Sequence, residues 1–128
     1  MKHRRAIIVF TRVPVPGQTK TRLMPYFTPK QCERLHSCML QDMKGECEKV
    51  EADVFICYTP EDKEEKIRKI FGKRVHYFLQ RGEGLGVRMH VAIEEVLKRG
   101  YTSCILFGTD IPELHSTDMD NAFRVLET

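Results

Sequence analysis

The sequence predicts an α/β domain with a mostly parallel, Rossmann-like sheet and helices on both faces. Two observations carry that class. Short apolar runs alternate with amphipathic helical segments in the order β-α-β-α-β-α-β-α. Three of the runs, IIVF, DVFICYT and SCILF, place apolar residues on both faces, as strands buried within a parallel sheet require. Length agrees, since 128 residues suit one domain. No internal repeat, low-complexity stretch or linker divides the chain, so 1–128 reads as a single domain.

The first strand is expected over 5–10, where Ile7, Ile8 and Val9 supply a β-branched run. Thr28-Pro29 then offers a helix N-cap followed by proline at the first helical position. Cys32, Leu35, Met39, Met43 and Cys47 follow at helical spacing. The second strand covers 53–59, and Thr59-Pro60 repeats the start signal for a second helix. Positions 74–79 are more mixed and suit an edge strand. A third helix over 86–99 carries an apolar stripe of Met89, Ala92, Ile93, Val96 and Leu97. Glu94–Lys98 and Glu95–Arg99 are its i,i+4 pairs, and Gly100 stops it. A fourth strand at 103–107 precedes a last helix that begins near Ser116 or Thr117. Right-handed crossovers in a 3-2-1-4 strand order make the first and fourth strands neighbours at a topological switch point. Ligands of such sheets bind at the carboxyl ends of the strands that flank this point.

Charge is unevenly spread. The net value is +3, too small to indicate nucleic-acid binding. The first 32 residues nevertheless carry +7 with no acid before Glu33, and the remainder carries −4. A basic front suits a small anionic ligand; the plain alternative is a solvated basic terminus. No apolar run approaches the roughly 18 residues of a membrane span. The five apolar residues after Arg5 are too short for a signal peptide, so the expected location is cytoplasmic. The five cysteines are odd in number and contain no C-x-x-C, and the five histidines are scattered, which points away from a zinc or disulfide framework.

Three segments hold the candidate chemistry. In the loop T-R-V-P-V-P-G-Q-T-K-T-R-L (11–23), Gly17 allows a tight turn with free backbone N–H groups. Arg12, Lys20 and Arg22 stand there with no acid to pair them, and are available to phosphate oxygens. The loop is not a P-loop, because Thr19 occupies the place of that motif's second glycine. The second segment, Q-R-G-E-G-L-G-V-R-M (80–89), is a glycine-rich loop opening a helix, with Gly86 and Arg88 in the first turn. A plain connecting loop is its other reading. In the third, F-G-T-D-I-P-E-L (107–114), Asp110 follows a buried strand and can ligate a hard divalent cation such as Mg²⁺ or cap a turn.

These segments, F-T-R-V-P-V-P-G-Q-T-K-T-R-L-M-P (10–25), L-G-V-R-M-H-V-A (85–92) and F-G-T-D-I-P-E-L (107–114), resemble the glycosyltransferase-like proteins of the domain-of-unknown-function 2064 group. That group is also called the selenodomain-associated or arsenosugar-biosynthesis transferase family. The K-T-R-L portion is also similar to guanylyltransferases that activate phospholactate. Both groups have the nucleotide-diphospho-sugar transferase (GT-A type) fold. The resemblance implies that Arg12, Gly17, Lys20 and Arg22 line a nucleotide and phosphate site, with Gly86 and Arg88 near the nucleotide. It implies that Asp110 binds Mg²⁺ or Mn²⁺ in a G-[ST]-D-x-P element. Family members continue well beyond this length, so the chain reads as the N-terminal part of a longer domain, and no general base is identified.

The expected function is metal-assisted glycosyl transfer from a nucleoside-diphosphate sugar to an acceptor that the sequence does not identify. The enzymatic alternative is a nucleotidyltransferase that releases pyrophosphate. The non-enzymatic alternative is a truncated binding domain, for which homodimerisation through an unpaired edge strand is the natural association.

Overall fold

The computed structural model describes residues 4–17, 26–108 and 114–128. The elements are β1 (Arg5–Arg12), α1 (Pro29–Glu48), β2 (Asp53–Thr59), a 3-10 turn (Glu61–Lys63), α2 (Glu64–Phe71), β3 (His76–Leu79), α3 (Leu85–Leu97), β4 (Ser103–Gly108) and α4 (Ser116–Leu126). The four strands form one sheet in the order β3-β2-β1-β4, and every pairing is parallel. The predicted α/β class and strand order are therefore those observed, with β3 as the short edge strand.

The alternation of side chains along β1 explains the two layers. Ile7 and Val9 point to one face, where they meet Ile56, Tyr58 and Phe107 of the sheet. Leu40, Met43 and Cys47 of α1, Ile67 and Phe71 of α2, and Met119 and Phe123 of α4 close that layer. Ala6, Ile8 and Phe10 point to the other face and pack with Phe55, Cys57 and Tyr101 under Ala92 and Val96 of α3. Residues 6–10 are all buried, so β1 is the spine of both cores. Burial of these apolar side chains is the main favourable term in the fold.

Helix starts and faces show where local signals were sufficient. At the start of α1, the Gln31 N–H donates to Thr28 Oγ1 (3.2 Å) and the Thr28 N–H donates to Gln31 Oε1 (2.9 Å). This reciprocal cap fulfils the Thr28-Pro29 signal. The expected apolar face of α1 is partly corrected: Cys32, His36, Leu40, Met43 and Cys47 are buried, whereas Leu35 is 41% exposed. Thr59 does not cap α2. Its carbonyl accepts the Val13 N–H at 2.8 Å, which holds Thr59 in the sheet, and α2 begins only after the 3-10 turn. In α3, Leu97 lies outside the buried stripe, and Glu94 faces His90 at 3.6 Å rather than Lys98. The Glu95–Arg99 pair forms at 3.5 Å.

The ends of α4 are held by acids from outside and inside the helix. Glu127 accepts from Arg5 Nε (2.9 Å) and Nη2 (2.7 Å) of β1, and from Ser103 Oγ (3.2 Å) of β4. This bidentate geometry orients the helix more firmly than a single contact would. Helical rotation puts Val125 roughly opposite Glu127, and both Val125 and Leu126 are exposed. Among the described residues β4 pairs with β1 alone, so its outer edge carries no strand.

At the other end of α4, Glu46 of α1 accepts the Ser116 N–H at 2.9 Å and the Lys49 ammonium at 2.8 Å. The Lys49 hydrogen bond, then that of Ser116, lowers the Glu46 carboxyl from 4.5 to about 2. A depressed carboxyl stabilises the fold above its ordinary value, and that contribution is lost as pH falls through the folded value. The difference in urea midpoint between wild type and Glu46→Gln should therefore shrink as pH is lowered from 4.5 to about 2. A difference that stays constant over this range would contradict the assignment.

Candidate functional site

Because helices run back against the strands, the carboxyl ends of β1–β4 and the starts of α1 and α3 share one edge of the sheet. Phe10 pairs with Gly108, so the chain leaves β1 and β4 side by side. β2 and β3 lie to one side of β1 and β4 to the other, which makes this the switch point of the sheet.

Arg12, the last residue of β1, is exposed at this edge. Gly17 adopts a left-handed φ of +80°, and a Cβ there would meet only open space. Lys20 and Arg22 lie outside the described residues, as does Asp110, two positions beyond Gly108. Among the described residues, no three His, Cys, Asp or Glu side chains could share a metal ion.

The glycine-rich segment is anchored at both ends. Gln80 follows β3 directly: its N–H donates to the Tyr58 carbonyl (2.9 Å). Its side-chain Nε2 donates to the carbonyls of Thr11 (3.0 Å) and Cys57 (3.3 Å). One glutamine thus ties together the ends of β1, β2 and β3. Sequence reasoning did not single out Gln80, and its position just past a strand at the head of the glycine-rich segment was the available signal.

At the other end, Gly84 is the N-cap of α3 and supplies no side-chain hydrogen bond. The first turn of α3 therefore presents backbone N–H groups without a cap from Gly84 at the carboxyl-end edge of the sheet. Gly86 sits in that turn, where a Cβ would touch nothing. Arg88, expected near a ligand, donates from Nε to the Gly82 carbonyl at 2.9 Å. Arg12, at the end of β1, and Gly86 and Arg88, in the first turn of α3, all belong to elements at this edge of the sheet.

Burial pushes the Cys57 thiol up to about 12 and Cys104 to about 11, so both are protonated at neutral pH. Cys47, likewise buried, is pushed up to about 12. No described helix is long and apolar enough to cross a membrane.

Strand order and switch point define a Rossmann-like α/β domain in which the carboxyl ends of β1 and β4 flank the switch point. The chain belongs to the DUF2064 family, described as uncharacterized proteins conserved in bacteria, whose profile matches residues 44–128. It is also similar to the crystal structure of a candidate nucleotide-diphospho-sugar transferase from Desulfovibrio desulfuricans G20. The TM-score is 0.91 and the identity 30%, over 98% of this chain and 55% of that one. The superposition includes nearly all of the present fold, and the chain spans about half the length of that protein. Among curated proteins none matches the sequence.

Proposed function

We propose that this domain binds a nucleotide or nucleotide-sugar over the carboxyl ends of β1 and β4. The observation that carries the reading is the adjacency of these strand ends, which begins the acid-free loop 11–23 beside the segment leading to Asp110. The likeness in fold to a candidate nucleotide-diphospho-sugar transferase supports the same ligand class. In this reading the domain serves glycosyl transfer from a nucleoside-diphosphate sugar.

In this reading Arg12, Lys20 and Arg22 bind the diphosphate, and the uncapped first turn of α3 at Gly86 offers N–H donors to the nucleotide. Positive groups fixed before reaction stabilise charge that grows on the departing diphosphate, without reorganisation during the step. Asp110 would hold Mg²⁺ or Mn²⁺, which would supply further charge neutralisation.

Calorimetric titration with nucleoside diphosphates, triphosphates and diphosphate sugars, in Mn²⁺ and in EDTA, tests the proposal. Wild type is expected to bind more tightly in Mn²⁺. Asp110→Asn keeps the size and an acceptor oxygen but loses the charge that a hard cation needs, so its affinity should be nearly indifferent to metal. Full Mn²⁺ enhancement in the variant would move the metal elsewhere. Binding of none of these ligands would leave the non-enzymatic reading, association through the open edge of β4, which that edge and the exposed Val125 and Leu126 favour.

A further inference from the structure

We infer that Arg88 is a positioning residue, which latches the glycine-rich loop to the first turn of α3 so that the helix start faces the ligand in a preset geometry. The inference rests on the nucleotide-binding reading for its consequence, and on this chain's own contacts for the latch.

Two contacts from α3 converge on Gly82. Arg88 Nε donates to its carbonyl at 2.9 Å. Val87 Cγ1 lies only 2.7 Å from where a Cβ on residue 82 would stand. The loop backbone therefore rests directly on a stiff β-branched side chain, at a φ of +117° that side-chain-bearing residues rarely adopt. Gly84, two residues on, has φ +87° and begins the helix, its carbonyl accepting the Arg88 N–H at 3.1 Å. Arg88 thus bonds the loop twice, through its backbone at Gly84 and its side chain at Gly82. Gln80 holds the opposite end of the segment against β1 and β2.

Nothing in sequence spacing distinguishes this role from that of a phosphate ligand, since both place an arginine in the first turn of a helix. The two roles use different atoms. Phosphate binding draws on the charge and the terminal nitrogens of the guanidinium, whereas the latch uses Nε. A glutamine at this position carries its Nε2 the same number of bonds from the backbone as arginine Nε, without the charge. Arg88→Gln therefore keeps the latch donor, and Arg88→Met removes it.

Amide hydrogen exchange without ligand reads the latch itself. Exchange of the residue-88 amide, which donates to the Gly84 carbonyl, should rise on the order of tenfold in Arg88→Met, the effect of losing one hydrogen bond from a charged donor. It should return close to wild type in Arg88→Gln. Gly82→Ala, which attacks the latch from the loop side, should match Arg88→Met. Titration with the monophosphates and diphosphates of adenosine, cytidine, guanosine, uridine and thymidine then reads the consequence. Arg88→Met should weaken monophosphate and diphosphate of the bound base by the same factor, and Arg88→Gln should restore both. Exchange unchanged in Arg88→Met overturns the latch. Arg88→Gln as weak as Arg88→Met towards the diphosphate alone overturns the positioning role in favour of a phosphate ligand. If wild type binds none of these nucleotides, the proposed function fails, while the exchange data still decide the latch.

Discussion

Replacing Phe55 with alanine is expected to destabilise the domain by about 3–5 kcal/mol, the range for removing a buried aromatic side chain. Phe55 is 1% exposed, on β2, in the layer covered by α3. Its ring stacks on His76 at 4.7 Å between centroids and meets Tyr101 edge-on at 5.4 Å and Phe78 at 6.2 Å. The Arg99 guanidinium lies 5.3 Å from its centroid. Alanine removes all of these contacts at once and leaves a void between the strands and α3. Such a loss is a large part of the roughly 5–15 kcal/mol that holds a typical domain folded. Urea unfolding should show a lower midpoint with an unchanged slope. A loss below about 1 kcal/mol would mean that the layer collapses to refill the space.

Lys20→Ala and Arg22→Ala are each expected to weaken nucleotide binding on the order of tenfold to a hundredfold, from the loss of a charged hydrogen bond of about 1.5–3 kcal/mol. The basis is their place in a loop that begins at the end of β1 and contains no acid. Both side chains are charged and long, so the unfolding midpoint should not change. Their losses need not add, because two cations acting on one diphosphate share a partner. Calorimetry on the single and double variants gives the answer. Unchanged affinity in both single variants would remove the phosphate role from this loop.

Much of the architecture was legible because strands buried on both sides announce themselves. IIVF, DVFICYT and SCILF have no polar alternation, and the helical segments between them leave a parallel sheet as the economical arrangement. Thr28 with Gln31 three residues later also carried a complete local instruction, since a capping box involves only neighbouring residues. The switch point followed from the strand order.

Other features depended on partners distant in the chain. The apolar spacing of α1 allows Leu35 and Met39 to face inward as readily as His36 and Leu40. Which neighbouring face turns to the core depends on the sheet and α2, which residues within the helix do not encode. Thr59 had the composition of a cap but is held in the sheet by Val13, 46 positions earlier. The candidate site divides in the same way. Its place over β1 and β4 and its basic residues were readable from order and composition. The Gln80 bonds to Thr11 and Cys57, across 69 and 23 positions, arise only when three strand ends meet in register. Sequence alone therefore determined the class of the fold and the position of its switch point, because periodicity and strand order are local or additive properties. Tertiary structure decided which side chains face inward and which atoms hold the glycine-rich loop, because hydrogen bonds and close contacts require positions that only the assembled sheet and α3 supply.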